Sequence, residues 1–64
     1  MTEHSFHFYT MAWLDLIEGA KLPELQRALN MYLSVEDYEA CTGIQTAMNE
    51  YIYYIHIKKK LLKS

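Results

Sequence analysis

The sequence predicts an all-α protein, a three-helix chain with a helical hairpin (about 5–18, 23–33 and 35–60) that associates as a dimer or small helical oligomer. Three observations predict it. Apolar residues recur at three- and four-residue spacing in three separate blocks. Gly19 and Pro23 bracket one break, "GAKLP". The run "SVED" at 34–37 reads as a fresh helix start directly after the second block. The chain is 64 residues long, which is one domain, 1–64.

In the first block, Phe6, Tyr9, Trp13, Leu16, Ile17 and Ala20 share one face. Ser5 is the expected N-cap and Gly19 the expected stop. Alternation in "SFHF" also allows a short extended start. In the second block, Pro23 suits the first helical turn, where its missing N–H costs nothing. Leu22, Leu25, Ala28, Leu29, Tyr32 and Leu33 form its stripe. The third block begins with Ser34 as the expected cap, its hydroxyl accepting from the N–H of Glu36 or Asp37, with the acids in the first turn. Val35, Tyr38, Cys41, Ile44, Met48, Ile52 and Ile55 continue the stripe. Gly43 costs about 1 kcal/mol relative to alanine inside a helix. A close helix crossing accounts for the small residues Ala40, Cys41, Thr42, Gly43 and Ala47 around it.

At ~1.5 Å per residue the three helices measure roughly 21, 18 and 39 Å. The second covers about half of the third, so the first helix, or another chain, must cover the rest. The uncovered end is apolar all round. On a 100° wheel Tyr51, Ile55 and Leu62 cluster together, with Ile52, Tyr53, Ile57, Leu61 and Tyr54 spread about the remaining circumference. Such a helix needs burial from several sides, which implies self-association, most simply a two-fold dimer. The competing reading makes Tyr51–Ile57 a strand, because β-branched and aromatic residues dominate it.

Composition narrows the function. A chain this short buries only about 60% of its unfolded surface and usually needs a staple or a partner. Cys41 is the one cysteine, so no internal disulfide forms, and an unpaired thiol fits a reducing, cytoplasmic setting. The N-terminal stretch carries no basic, then apolar, secretion pattern. The longest apolar run, "YIYYIHI", falls far short of the ~20 residues that span a bilayer. Residues 1–50 hold eight acids against Lys21 and Arg27, a charge of −6; residues 51–64 hold four lysines, +4, which together make the net −2. The acidic body argues against general nucleic-acid binding. The lysines suit a helix C-terminus.

No catalytic constellation is legible. His4 and His7 share a spacing that can hold a metal, but they lack the further ligands a structural site needs, so neither metal nor cofactor is expected. Glu36, Asp37 and Glu39 fit helix-start stabilisation better than acid–base chemistry. Cys41 lies on the apolar stripe as a small core residue, with no base nearby in sequence. An enzyme is therefore not expected. The six tyrosines and one tryptophan are the distinctive feature, since tyrosine joins an apolar ring to a polar tip and is favoured at interfaces.

The stretch "LPELQRALNMYLSVEDYEACTGIQTAM", 22–48, resembles the UVR motif, a helical hairpin of the excision-repair proteins UvrB and UvrC and of some Clp-associated regulators. Leu25, Leu29 and Leu33 match its spaced aliphatics, and Glu36, Asp37, Tyr38 and Glu39 its acidic–aromatic turn. Cys41 and Thr42 take the small positions, and Ile44 and Met48 the later aliphatic ones. Gln45 and Thr46 stand where the family carries Arg-Asp. The resemblance implies an antiparallel hairpin that associates with a like hairpin or a partner protein.

The functional expectation is a non-enzymatic protein–protein interaction module, a small homo-oligomeric adaptor or a regulator or inhibitor of a partner protein, of bacterial or phage type. Its association surface is expected at Tyr51, Ile52, Tyr53, Tyr54, Ile55 and Ile57, then Tyr9 and Trp13. The alternatives are a nucleic-acid accessory protein using the C-terminal lysines and tyrosines and peripheral membrane binding through the same helix.

Overall fold

The computed structural model describes residues 1–63, without the Lys63 side chain, so that end of the lysine tail lies outside the described residues. Within them the chain forms three α-helices, α1 (Glu3–Ile17), α2 (Leu22–Ser34) and α3 (Tyr38–Lys63), and no strand. The strand alternative for Tyr51–Ile57 is overturned. The helix satisfies the backbone of that segment internally, whereas a strand would need an edge to pair with, and none exists among the described residues.

Both inter-helix turns use the same closing geometry. After α1, the Gly19 N–H donates to the Leu16 carbonyl and the Ala20 N–H to the Asp15 carbonyl, with Gly19 at φ 109°. After α2, the Glu36 N–H donates to Leu33 and the Asp37 N–H to Tyr32, with Glu36 at φ 61°. Each is the pair of reversed bonds that ends a helix through one left-handed residue. Glycine takes that conformation freely; Glu36 does so at a cost of about 1–2 kcal/mol.

Two expected caps move. Thr2, not Ser5, caps α1: its hydroxyl accepts from the Ser5 N–H at 3.1 Å, and Ser5 itself is buried. Ser34 does not start α3. It ends α2, donating from its hydroxyl to the Met31 carbonyl. Asp37 caps α3 instead, accepting from the Ala40 N–H at 3.2 Å. Because α2 continues through Ser34 and the chain then reverses at Glu36, the start of α3 falls three residues later than the sequence pattern suggests.

The three helices share a thin core of Ala12, Leu16, Leu25, Leu29, Ile44, Ala47 and Met48, with Phe8, Tyr9, Trp13, Leu22, Tyr32, Cys41 and Tyr51 packed against it. Each fully buried large side chain contributes about 1.5–3 kcal/mol. The expected stripes shift by a residue in places. Phe6 and Ile17 on α1, Leu33 on α2, and Val35 and Tyr38 beside the turn are exposed. On α3, Tyr51 takes the inward place assigned to Ile52. Cys41, Ile44, Met48, Tyr51 and Ile55 thus follow one another at three and four residues along α3, beside a second inward row of Ala40, Gly43 and Ala47.

The close crossing predicted around Gly43 is present. A β-carbon on Gly43 would lie 2.1 Å from the Ser5 carbonyl oxygen and 2.8 Å from the Tyr9 backbone nitrogen. Ala40 and Ala47, one turn to either side, are fully buried. The backbones of α1 and α3 meet here with no side chain between them. Close by, the His4 ring contacts the Asp37 carboxylate at 3.0 Å, joining the first turn of α1 to the cap of α3.

Two outcomes follow from these contacts. Gly43→Ala should destabilise the fold by about 3 kcal/mol in urea unfolding, although helix propensity alone predicts a gain of ~1 kcal/mol, because the added methyl meets backbone that cannot step aside. The His4–Asp37 contact should make stability pH-dependent. The hydrogen bond to Asp37 holds His4 above its ordinary 6.5, so its contribution is complete below 6.5 and lost as pH rises through the raised value. The bond to His4, helped by the Ala40 N–H, holds Asp37 below its ordinary 3.8, so its share is present above 3.8 and lost as pH falls through the lowered value. Thermal melts of wild type and His4→Ala should differ most between pH 3.8 and 6.5 and converge at alkaline pH.

Candidate functional site

The site arises from a mismatch in length. By the same rise per residue, α3 is ~39 Å long, α1 ~22 Å and α2 ~20 Å. Contacts along the chain set the register. His4 meets Asp37, Gly43 meets Ser5 and Tyr9, and Trp13 meets Tyr51 and Tyr54. Helix α1 thus runs parallel to α3. Helix α2 runs antiparallel to it, with the Cys41 thiol 3.5 Å from the Leu29 carbonyl. Helix α2 stays beside the N-terminal part of α3, while α1 runs on past Gly43 to Tyr51 and Tyr54. Of the two covers expected for the other half, α1 supplies only the nearer part, because its fifteen residues end while α3 continues.

The end of α3 consequently projects. Every described side chain from His56 to Leu62 is exposed. The molecule measures 44 × 22 × 16 Å, with a radius of gyration of 12.7 Å against about 10.7 Å for a compact chain of this length. Its accessible surface is 4803 Å², where scaling gives roughly 4300 Å² for its mass.

The predicted association residues divide into two groups. Tyr9 and Trp13 of α1 join Tyr51 and Tyr54 of α3 in an aromatic belt. The Trp13 ring lies edge-on to Tyr51 at 5.9 Å and to Tyr54 at 6.4 Å. The Tyr9 hydroxyl and the Trp13 indole N–H both donate to one oxygen of Glu50. The bond to Glu50 raises the Tyr9 phenol above its ordinary value. Tyr9, Trp13 and Tyr51 are half-buried and bind α1 to α3. Glu50 is the member that sequence reasoning missed: an acid on the third helix carries no sequence signal for a distant tyrosine and tryptophan.

The second group faces outward. Ile52, Tyr53, Tyr54 and Ile57 are 51%, 66%, 51% and 37% exposed, while Ile55 is half-buried. Leu61 and Leu62, 70% and 77% exposed, extend the surface and were not among the expected residues. Their signal was two leucines set inside a lysine tail. Tyr54, Ile57 and Leu61 stand at three- and four-residue spacing, so they form one seam down the projecting end. With Lys58 and Leu62 they line a shallow apolar groove.

Charge reinforces the division. Among the described residues the His4–Asp37 contact is the one ion pair. Among the described residues, Lys58, Lys59 and Lys60 on the projection, and Asp15 and Glu18 at the end of α1, have no oppositely charged partner. A surface of this kind offers apolar area, tyrosine hydroxyls and a cationic rim. A second groove lies between α1 and α2, lined by residues that include Phe8, Met11, Leu25, Tyr32 and Ile44. Among the described residues no helix is long and apolar enough to cross a membrane.

Glu50→Ala should leave the Trp13 indole without its acceptor and loosen the belt. The expected readout is a red-shifted, more quenchable tryptophan emission, with a loss of about 1–2 kcal/mol in stability, since hydrogen bonds to a charged group are the stronger ones.

Comparison with protein-family models, with curated proteins and with solved structures finds no match to this chain.

Proposed function

We propose that the protein is a non-enzymatic protein–protein interaction module, a small homo-oligomeric adaptor or regulator whose association surface is the projecting end of α3. The observation that carries this reading is the exposed set Ile52, Tyr53, Tyr54, Ile57, Leu61 and Leu62 on a helix that outruns both of its neighbours. Monomeric proteins rarely leave apolar surface so concentrated. Tyrosine, two of the six, is enriched at interfaces because its ring buries area while its hydroxyl stays satisfied.

Magnitudes bound the strength of self-association. Moving a half-exposed apolar side chain into an interface contributes about 1 kcal/mol. Six from each of two copies give on the order of 10 kcal/mol, comparable with the ~4–15 kcal/mol that association costs. Gain and cost are of similar size, so a dimer held by these side chains alone is weak and a copy exchanges readily for another partner. The α2–α3 hairpin, with its UVR-like pattern of spaced leucines and acidic turn, supports an adaptor role in the cytoplasm. Lys58, Lys59 and Lys60 beside Tyr53 and Tyr54 are the feature that a nucleic-acid reading would use.

Tyr53→Glu combined with Ile57→Glu should lower self-association at least a hundredfold, read as dimer mass by light scattering across a concentration series, with helix content unchanged by circular dichroism. Both side chains lie outside the core, so a stable, monomeric variant is expected. An unchanged mass would place the interface elsewhere.

A further inference from the structure

We infer that a second copy of the chain docks antiparallel on the projecting end of α3, so that the lysine run of each copy, with Lys58 at the edge of the groove, lies level with Asp15 and Glu18 at the end of the other's α1. This rests on the reading that the projection is a self-association surface, and it names the orientation and the charges that select it.

The seam sets the register. Tyr54, Ile57 and Leu61 follow one another at three and four residues, the spacing by which one helix packs along another. In an antiparallel pair Tyr54 of one copy meets Leu61 of the other, and the two helices cross between Ile57 and Lys58. Each lysine run then lies level with residues 55–57 of the facing helix.

That level is where α1 ends. Trp13 touches Tyr51 and Tyr54, and α1 runs parallel to α3, so Ile17 and Glu18 stand one turn further on, beside Ile55 and His56. Ile17 is 71% exposed and extends the apolar surface at this level. Glu18 follows it directly, and Asp15 stands two positions earlier, at the end of the groove between α1 and α2. Neither carboxylate has a cationic partner within the described chain, and neither does any of the three lysines. The whole chain has the same polarity, −6 over residues 1–50 and +4 over 51–64, the net being −2. An antiparallel pair sets each positive end against a negative body. A parallel pair sets lysines on lysines, and like charges in contact are penalised.

Sedimentation equilibrium of the full chain at low salt, about 20 mM, and at about 500 mM, where charges are screened beyond a few ångströms, tests the arrangement. Wild type should dimerise more tightly at low salt. The tail reversal Lys58→Glu/Lys59→Glu/Lys60→Glu should weaken the low-salt dimer tenfold or more, and so should Asp15→Lys/Glu18→Lys. A chain carrying both sets of changes should regain the wild-type dissociation constant within about threefold, because the complementarity is restored with its signs exchanged. That recovery also shows that neither reversal acts by unfolding the protein. An equal mixture of the two reversed variants should form heterodimers. A wild-type dimer indifferent to the reversals, or a combined variant as weak as either one, overturns the antiparallel arrangement and leaves the association surface standing. A wild-type chain that stays monomeric at millimolar concentration overturns both.

Discussion

The approach of α1 to α3 at Gly43 is the constraint on which the rest of the molecule depends. With a bare backbone at Gly43 and only methyl groups at Ala12, Ala40 and Ala47, the two helices come together closely enough to bury the Ser5 side chain. The contact runs along most of α1, from the His4–Asp37 pair to Trp13 against Tyr54. Helix α2 then fills the remaining side with Leu25 and Leu29. A core built on small residues is thin, and no large side chain in it is wholly enclosed. The helix pair gains close backbone packing in exchange for apolar volume, which leaves the domain short of stabilisation from burial alone.

That choice also leaves the exposed end of α3. A parallel α1 and an antiparallel α2 both begin or end near the same turn, and each is shorter than α3. The longer helix must then project, and its projecting part keeps its apolar residues. Deficit of core and excess of exposed surface are one fact seen from two sides. The proposed second chain on the projection would address both at once.

The aromatic belt links fold and surface. Tyr9, Trp13, Tyr51 and Tyr54 begin inside the domain and end at its edge, with the Glu50 carboxylate holding the inner pair. Tyr54 belongs both to the belt and to the exposed seam. Tyr54 thus contacts Trp13 of α1 while half of it stays exposed on the projecting end.

Helix type, helix number and the all-round apolar character of the far end of α3 were legible in the sequence, because three-and-four periodicity, Gly19, Pro23 and the lengths of the apolar blocks are local properties. The small-residue cluster around Gly43 announced a close crossing for the same reason: no helix keeps a glycine there without a neighbour to fit. What faced Gly43, and the direction in which α1 ran past it, belonged to the tertiary structure. So did the role of Glu50, whose partners lie some forty positions away along the chain, and the place of Tyr51 in the core, since a one-residue shift of a stripe depends on which neighbours arrive. Ser34 misled because a serine followed by two acids satisfies the local pattern of a helix start. The reversal at Glu36 requires a left-handed residue that the chain supplies without glycine, and only the packing of α2 against α3 compensates for that conformation. Local periodicity could specify three helices; the geometry of their crossings alone decided which side chains they left uncovered.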